Sequence, residues 1–228
     1  MNLLRDLFDF FLPRTCHICG CRLRDSEEFF CVRCVESLPR SLYHHSPMNP
    51  MERRFAGMVP FVRATGHFIY SRNSRLASAI HDMKYRRFPN VGRRLGEIVG
   101  SELLSAGFFD GADVIVPVPM HWFKQARRGY NQTDFIARGI SAATQLPVSR
   151  SLRSCRAHKS QTSKTLAERQ ANLAGSFRVA DPDALRGRGV VIVDDVCTTG
   201  ATLRTLAEAV MAQVPDCRLY LLTLCVTI

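Results

Sequence analysis

VVIVDDVCTTGAT, running from Val190 to Thr202, is the stretch that decides the fold. It opens as an apolar, β-branched run, the composition of a strand buried on both faces. Two adjacent acids, Asp194 and Asp195, close that run. A turn of small and hydroxylated residues follows from Cys197 to Thr202, and a helix over Ala201–Gln213 starts within it. Such a turn presents consecutive backbone N–H groups at a helix N-terminus with hydroxyls alongside, which is a cradle for a phosphate monoester. Gly200 permits close backbone approach, and paired carboxylates can accept hydrogen bonds from vicinal sugar hydroxyls. Ligands of parallel sheets sit beyond the carboxyl ends of the strands, where this series puts the acids and the turn. A lone TTGAT is weak evidence; strand, DD and TTGAT in series are specific.

The same alternation continues on both sides of the stretch. FVRATGHFIY (Phe61–Tyr70) reads as a strand pair or strand edge, Ser74–Arg86 and Gly92–Ala106 as helices, and DVIVPVP (Asp113–Pro119) as a buried strand. Helices follow at Gln132–Ala143 and Ser163–Ala174, with a short strand at Phe177–Val179 and a last strand at Arg218–Val226. Helices alternating with apolar β-branched runs imply an α/β fold, a mainly parallel sheet with helices on both faces. The expected division is a short amphipathic helix over 1–14, a cysteine-rich module over 15–40, a loose connector over 41–58 and the α/β domain over 59–228. In MNLLRDLFDFFL, residues Leu3 to Leu12 put their apolar side chains largely along one helical face, which suits packing onto the body or a weak peripheral membrane contact.

Composition narrows the partners. The chain has 228 residues, of which 46% are hydrophobic and 22% charged, so wholesale disorder is excluded. Its 31 Lys and Arg against 20 Asp and Glu leave a charge of +11, and all but one unit of that excess lies beyond residue 60. A basic domain expects a polyanion: nucleic acid, a phosphorylated substrate or an anionic membrane surface. The chain opens on no signal-peptide pattern and holds no apolar run long enough to cross a membrane, so a cytoplasmic protein with reduced thiols is expected.

Five of the nine cysteines fall between positions 16 and 34. Cys16-x2-Cys19 and Cys31-x2-Cys34 are two knuckles, each able to aim two thiolates at one ion, and together they make a tetrahedral four-cysteine site. Segment 15–38 has too few apolar residues to fold alone, so a structural Zn2+ would supply its folding energy. Cys21 and His17 are further donors close by, and either could replace one of the four. Cys155, Cys197, Cys217 and Cys225 have no metal spacing.

The Val190–Thr202 segment resembles the signature with which type I phosphoribosyltransferases bind phosphoribosyl pyrophosphate (PRPP). VIVPVPMHWFKQARRGYNQ (Val114–Gln132) resembles the strand and loop that approach pyrophosphate in those enzymes, and its RGYNQ is especially close to the ComF-like branch, the competence-associated proteins of bacteria. SCRAHKSQTSKTLAERQANLAGSFRV (Ser154–Val179), DMKYRR (Asp82–Arg87) and the cysteine knuckles are similar to the same branch, so the resemblance covers nearly the whole chain. It implies that Asp194 and Asp195 hold the ribose hydroxyls and that Thr198, Thr199, Gly200, Ala201 and Thr202 hold the 5′-phosphate. It implies Mg2+ with PRPP, whose pyrophosphate needs cations: Arg127 and Arg128, in a loop past the VPVP strand, are placed for that, and Lys84, after a helix with Ala77, Ile80 and Met83 on one face, is a candidate phosphate contact. The 153–169 stretch, with Arg153, Arg156, Lys159, Gln161, Thr162 and Arg169, would be the loop that closes over substrate.

The resemblance implies pentosyl transfer as the reaction class, leaves open whether this chain catalyses it, and reveals no acceptor. The zinc module and His44 and His45 occupy the place where the family keeps its acceptor-binding hood. His67, His81, His121 and His158 read as structural or surface residues rather than bases. Function by resemblance is PRPP binding in DNA uptake and natural transformation, alongside other competence proteins. The alternative is an adaptor that binds single-stranded nucleic acid or the membrane surface and carries a sensory or vestigial PRPP site. Phe61, Tyr85, Phe88, Trp122 and Tyr130 are the aromatics available for base stacking.

Overall fold

The computed structural model describes residues 13–155 and 176–228. The helix expected at the N-terminus through residue 12 and the one expected over Ser163–Ala174 lie outside the described residues. Before the main sheet come helix α1 (Val32–Glu36) and helix α2 (Pro50–Phe55). Strand β1 (Arg63–Ile69), helices α3 (Arg75–Tyr85) and α4 (Pro89–Ser105), and strand β2 (Val114–Pro117) follow. Helices α5 (Trp122–Arg128) and α6 (Gln132–Thr144) lead to a two-stranded antiparallel ribbon, β3 (Leu152–Ser154) and β4 (Phe177–Val179). Strand β5 (Gly189–Cys197), helix α7 (Ala201–Gln213) and strand β6 (Arg218–Val226) complete the fold.

The main sheet has the order β1-β6-β5-β2 with every pairing parallel. Strand periodicity divides its side chains between two cores. Val190, Ile192, Leu219 and Leu221 meet Leu206 and Val210 of α7 on one face. Val191, Val193 and Leu222 meet Leu95 and Val99 of α4 and Ile136 and Ile140 of α6 on the other. Helices α4 and α6 are pressed together through glycines: a Cβ on Gly139 would stand 2.0 Å from the Arg93 carbonyl oxygen, and one on Gly96 2.2 Å from that of Ile136. Among the described residues no helix is long and apolar enough to cross a membrane.

The segment read as a loose connector is ordered around α2. Asn49 Oδ1 accepts the amides of Met51 and Glu52 at 2.9 and 3.0 Å, and Pro50 takes the first helical turn, where a missing N–H costs nothing. Met51 and Phe55 then bury completely in the α7-side core. A six-residue helix is too short to show a hydrophobic period, which is why the sequence reads as connector there.

Candidate functional site

Strand β5 delivers both acids to the carboxyl end of the sheet, and its alternation sends them to opposite faces. Asp195 turns toward the α3 and α6 side. Its carboxylate accepts from Lys84 Nζ at 2.8 Å and from Gln132 Nε2 at 2.6 Å. Asp194 accepts the Asp195 amide at 2.8 Å. Burial, and then the charge of Asp195, raise the Asp194 carboxyl to about 7; the amide and Lys84 pull the other way. Gln132 opens α6, and its oxygen accepts from the Arg128 guanidinium. Asn131 and Thr133 both donate to the Val118 carbonyl, at 3.0 and 2.7 Å, and so staple this corner to the end of β2. Lys84, Arg128, Gln132, Asp194, Asp195 and Thr202 share one cleft of about 460 Å³.

The turn expected to hold phosphate stands at the mouth of α7. Gly200 has φ +81 as the N-cap, a left-handed conformation that favours glycine. Thr198 and Thr199 are exposed, Ala201 and Thr202 half-buried. Helix α2 supports the turn from behind. The Arg54 guanidinium donates to the Thr198 carbonyl and reaches Cys197 Sγ at 3.4 Å, and a Cβ on Gly200 would lie 3.0 Å from the Phe55 ring. Sequence reasoning missed both supports. Gln132 at least sits in the RGYNQ run, whereas Arg54 carries no local signal.

Arg127 and Arg128, expected in a loop, occupy the last turn of α5. The reason is local capping: His121 Nδ1 accepts the Phe123 amide at 3.3 Å, and Gly129 ends the helix at φ +89. This helix buries no residue, so it shows no periodicity to read. Its basic side joins the end of α3. Lys84, Tyr85, Arg87, Lys124, Arg127 and Arg128 line a second hollow of about 560 Å³, with the Arg128 guanidinium 5.4 Å from the centre of the Tyr85 ring. Arg153 is exposed on β3, while Arg156, Lys159, Gln161, Thr162 and Arg169 lie outside the described residues.

The cysteine module places the sulfurs of Cys16, Cys19, Cys31 and Cys34 within 4.8 Å of one another. Cys19 and Cys31 are 3.8 Å apart, the edge expected of a tetrahedron with Zn–S bonds of about 2.3 Å. The Cys31 amide donates to Cys16 Sγ at 3.4 Å; hydrogen bonding with Cys21 lowers the Cys19 thiol to about 6, whereas burial and then the neighbouring thiols raise that of Cys34. Cys21 is exposed and outside the foursome, and the His17 ring is engaged elsewhere, at 2.7 Å from Asp82. The donor set and its spacing therefore suit a closed four-thiolate metal site.

Of the histidines expected to be structural, His67 is buried and pairs with Glu102 at 2.9 Å, while His121 caps α5. Cys197, Cys217 and Cys225 are buried without metal partners among the described residues.

Residues 102–225 match the phosphoribosyl transferase domain. The chain is 30% identical to DNA utilization protein YhgH of Escherichia coli (strain K12) over 200 residues, covering 86% of this chain and 83% of that protein. It is 22% identical to competence protein ComFC of Bacillus subtilis (strain 168), over 64% of this chain and 57% of that one. Among solved structures, glutamine PRPP amidotransferase from B. subtilis superposes with a TM-score of 0.44 at 20% identity. That match covers 63% of this chain and spans only 30% of the amidotransferase.

Proposed function

The chain belongs to the phosphoribosyl transferase domain family and to its ComF branch, and from that premise we propose that the cleft at the end of β5 binds PRPP in a protein that serves DNA uptake and use. One observation carries the reading: Asp194, Asp195 and the glycine-capped start of α7 meet Lys84 and Arg128 around a single cleft. The amides of α7's first turn, with the Thr198, Thr199 and Thr202 hydroxyls, would hold the 5′-phosphate, since a helix N-terminus is positive. Asp194 and Asp195 accept the ribose hydroxyls. Arg54 and Phe55 fix the turn without touching the ligand.

Pyrophosphate falls toward the basic hollow. Bond breaking at the anomeric carbon loads negative charge on the leaving group, and fixed cations stabilise it as it develops. Lys84 neutralises Asp195 while presenting its charge to that side, and Arg127 and Arg128 extend it. Mg2+, when bound with PRPP, supplies further neutralisation of the pyrophosphate; the acidic pair Asp194 and Asp195 is the donor set available to it. The four cysteines would hold Zn2+ as a folding element, supplying structure instead of chemistry.

Titration of the full chain with PRPP and Mg2+ by calorimetry should give saturable binding, lost in Asp194→Asn/Asp195→Asn. Unchanged binding in that variant overturns the assignment. Pyrophosphate release, measured with and without candidate acceptors, distinguishes a transferase from a sensor.

A second reading, single-stranded nucleic-acid binding, is favoured by the surface beside the cleft. Tyr85, 65% exposed, lines the basic hollow with Arg87, Lys124 and Arg127, and Trp122 and Phe123, 56% and 61% exposed, precede Lys124 on α5. Stacking faces within a basic groove are what unspecific single-strand binding uses. Retention of an oligothymidylate that weakens steeply with salt, and weakens again in Trp122→Ala/Phe123→Ala, supports it; equal retention by both proteins removes it.

A further inference from the structure

Helix α3 ends between two anchors, and only one belongs to the cleft. On the cleft side Lys84 Nζ meets Asp195 at 2.8 Å. On the opposite side Asp82, buried to 8% exposure, meets His17 Nδ1 at 2.7 Å. Positions two apart on a helix face away from one another, so these contacts grip the last turn from opposite sides. His17 lies inside the first cysteine knuckle, between Cys16 and Cys19. Its amide donates to the Phe29 carbonyl at 2.9 Å, its carbonyl accepts from Ser78 Oγ at 2.8 Å, and its ring packs edge-on against Phe88 at 4.7 Å. The imidazole is thus held by the knuckle's own backbone and spent on α3 instead of on a metal.

We propose that His17 is a positioning residue for the cleft: through Asp82 it sets where α3 ends, and so where Lys84 stands against Asp195. The inference rests on the PRPP reading of the cleft and deepens it, because it makes the cysteine module a regulator of that site. None of the module's residues lines the cleft; its contacts run to α4, where Arg40 pairs with Glu102 at 2.6 Å, and to α3, and of these two helices only α3 carries residues of the cleft, Lys84 among them. The alternative source of order on this turn, the Tyr130 hydroxyl donating to the Met83 carbonyl, lies on the cleft's own RGYNQ loop and does not replace a contact to the module. Loss of the imidazole leaves Asp82 with the Arg86 pair at 3.5 Å, from the C-cap of the same helix, and the last turn loses its side-chain contact to the cysteine module.

The test uses the full zinc-loaded chain, PRPP with Mg2+, and calorimetry on the unmodified protein, His17→Ala, His17→Asn, Lys84→Met and the His17→Ala/Lys84→Met pair. Zinc content should stay at one per chain, since no cysteine is changed. His17→Ala should weaken PRPP binding about tenfold, within the range typical of coupled sites. His17→Asn puts an amide nitrogen near the place of Nδ1 and should recover most of that loss. In the Lys84→Met background, removing His17 should cost nothing more.

Equal binding by His17→Ala and the unmodified chain overturns the inference. So does the same tenfold loss in the Lys84→Met background, which would mean that His17 acts on overall stability. Should His17→Ala lose zinc, Asp82→Ala leaves the knuckle intact, removes the acceptor of the His17 ring and carries the same expectation and refutation. Failure of the unmodified chain to bind PRPP overturns the reading of the cleft instead. The positioning is then read by hydrogen exchange of the Met83–Tyr85 amides, which must quicken in His17→Ala, and an unchanged rate refutes it.

Discussion

Lys84→Met removes the cation that faces Asp195 and keeps most of the side chain's bulk. At 2.8 Å the gross attraction is about 6 kcal/mol with an effective dielectric of about 20. Desolvation offsets much of it, because the two side chains are only 20% and 10% exposed. A hydrogen bond to a charged group nets about 1.5–3 kcal/mol, and Gln132 remains to satisfy one carboxylate oxygen at 2.6 Å. The expected loss is therefore about 2 kcal/mol, or a fall in Tm of about 4–8 °C for a chain of this size. Differential scanning calorimetry at low and high salt reads it, and salt should recover little of the difference because the pair is mostly shielded from solvent. Asp195→Asn keeps an acceptor for Gln132 while removing the charge. In the Lys84→Met/Asp195→Asn double variant the uncompensated carboxylate is gone, so a coupling of about 1.5–2 kcal/mol should appear. Losses that simply add, to within about 0.5 kcal/mol, would refute the pairing as a source of stability.

Gly139→Ala should cost about 3 kcal/mol, because its Cβ would stand 2.0 Å from the Arg93 carbonyl and force α4 and α6 apart; a Tm within about 2 °C of the unmodified protein, by calorimetry, contradicts that close approach. The raised Asp194 carboxyl holds its proton more tightly folded than unfolded, so it costs the fold nothing below about pH 4 and most above pH 7. Ligand binding runs the opposite way: the ionised carboxylate is the better acceptor, and with a value of about 7 its population grows about tenfold from pH 6 to pH 8. PRPP affinity should tighten over that interval more in the unmodified chain than in Asp194→Asn, and parallel pH profiles would count against the role. Arg54→Ala removes the support behind Thr198 and should weaken binding of ribose 5-phosphate several-fold at unchanged zinc content, whereas equal affinity shows that the turn holds its own shape.

Where local pattern and tertiary context agree, the sequence is a good guide. Helix α7 and strand β6 have the bounds their periodicity implies, Ala201–Gln213 and Arg218–Val226, because each buries apolar residues at its own regular spacing. The knuckle spacing likewise brings Cys16, Cys19, Cys31 and Cys34 together. Helix α5 was illegible because it buries nothing, and α2 because six residues are fewer than two turns. The supports of the cleft are illegible for a different reason. Arg54 reaches Cys197 across 143 residues, Gln132 reaches Asp195 across 63 and His17 reaches Asp82 across 65, distances at which neither propensity nor period carries information.

Sequence by itself determined the parallel α/β architecture, the acids and glycine turn at the end of β5 and the four-cysteine set, since each of these follows from residue type at short spacing. Only the tertiary structure decided that Lys84 neutralises Asp195, that α2 buttresses the Thr198–Thr202 turn, and that His17 faces α3. Those are meetings between side chains distant along the chain, and packing alone selects them.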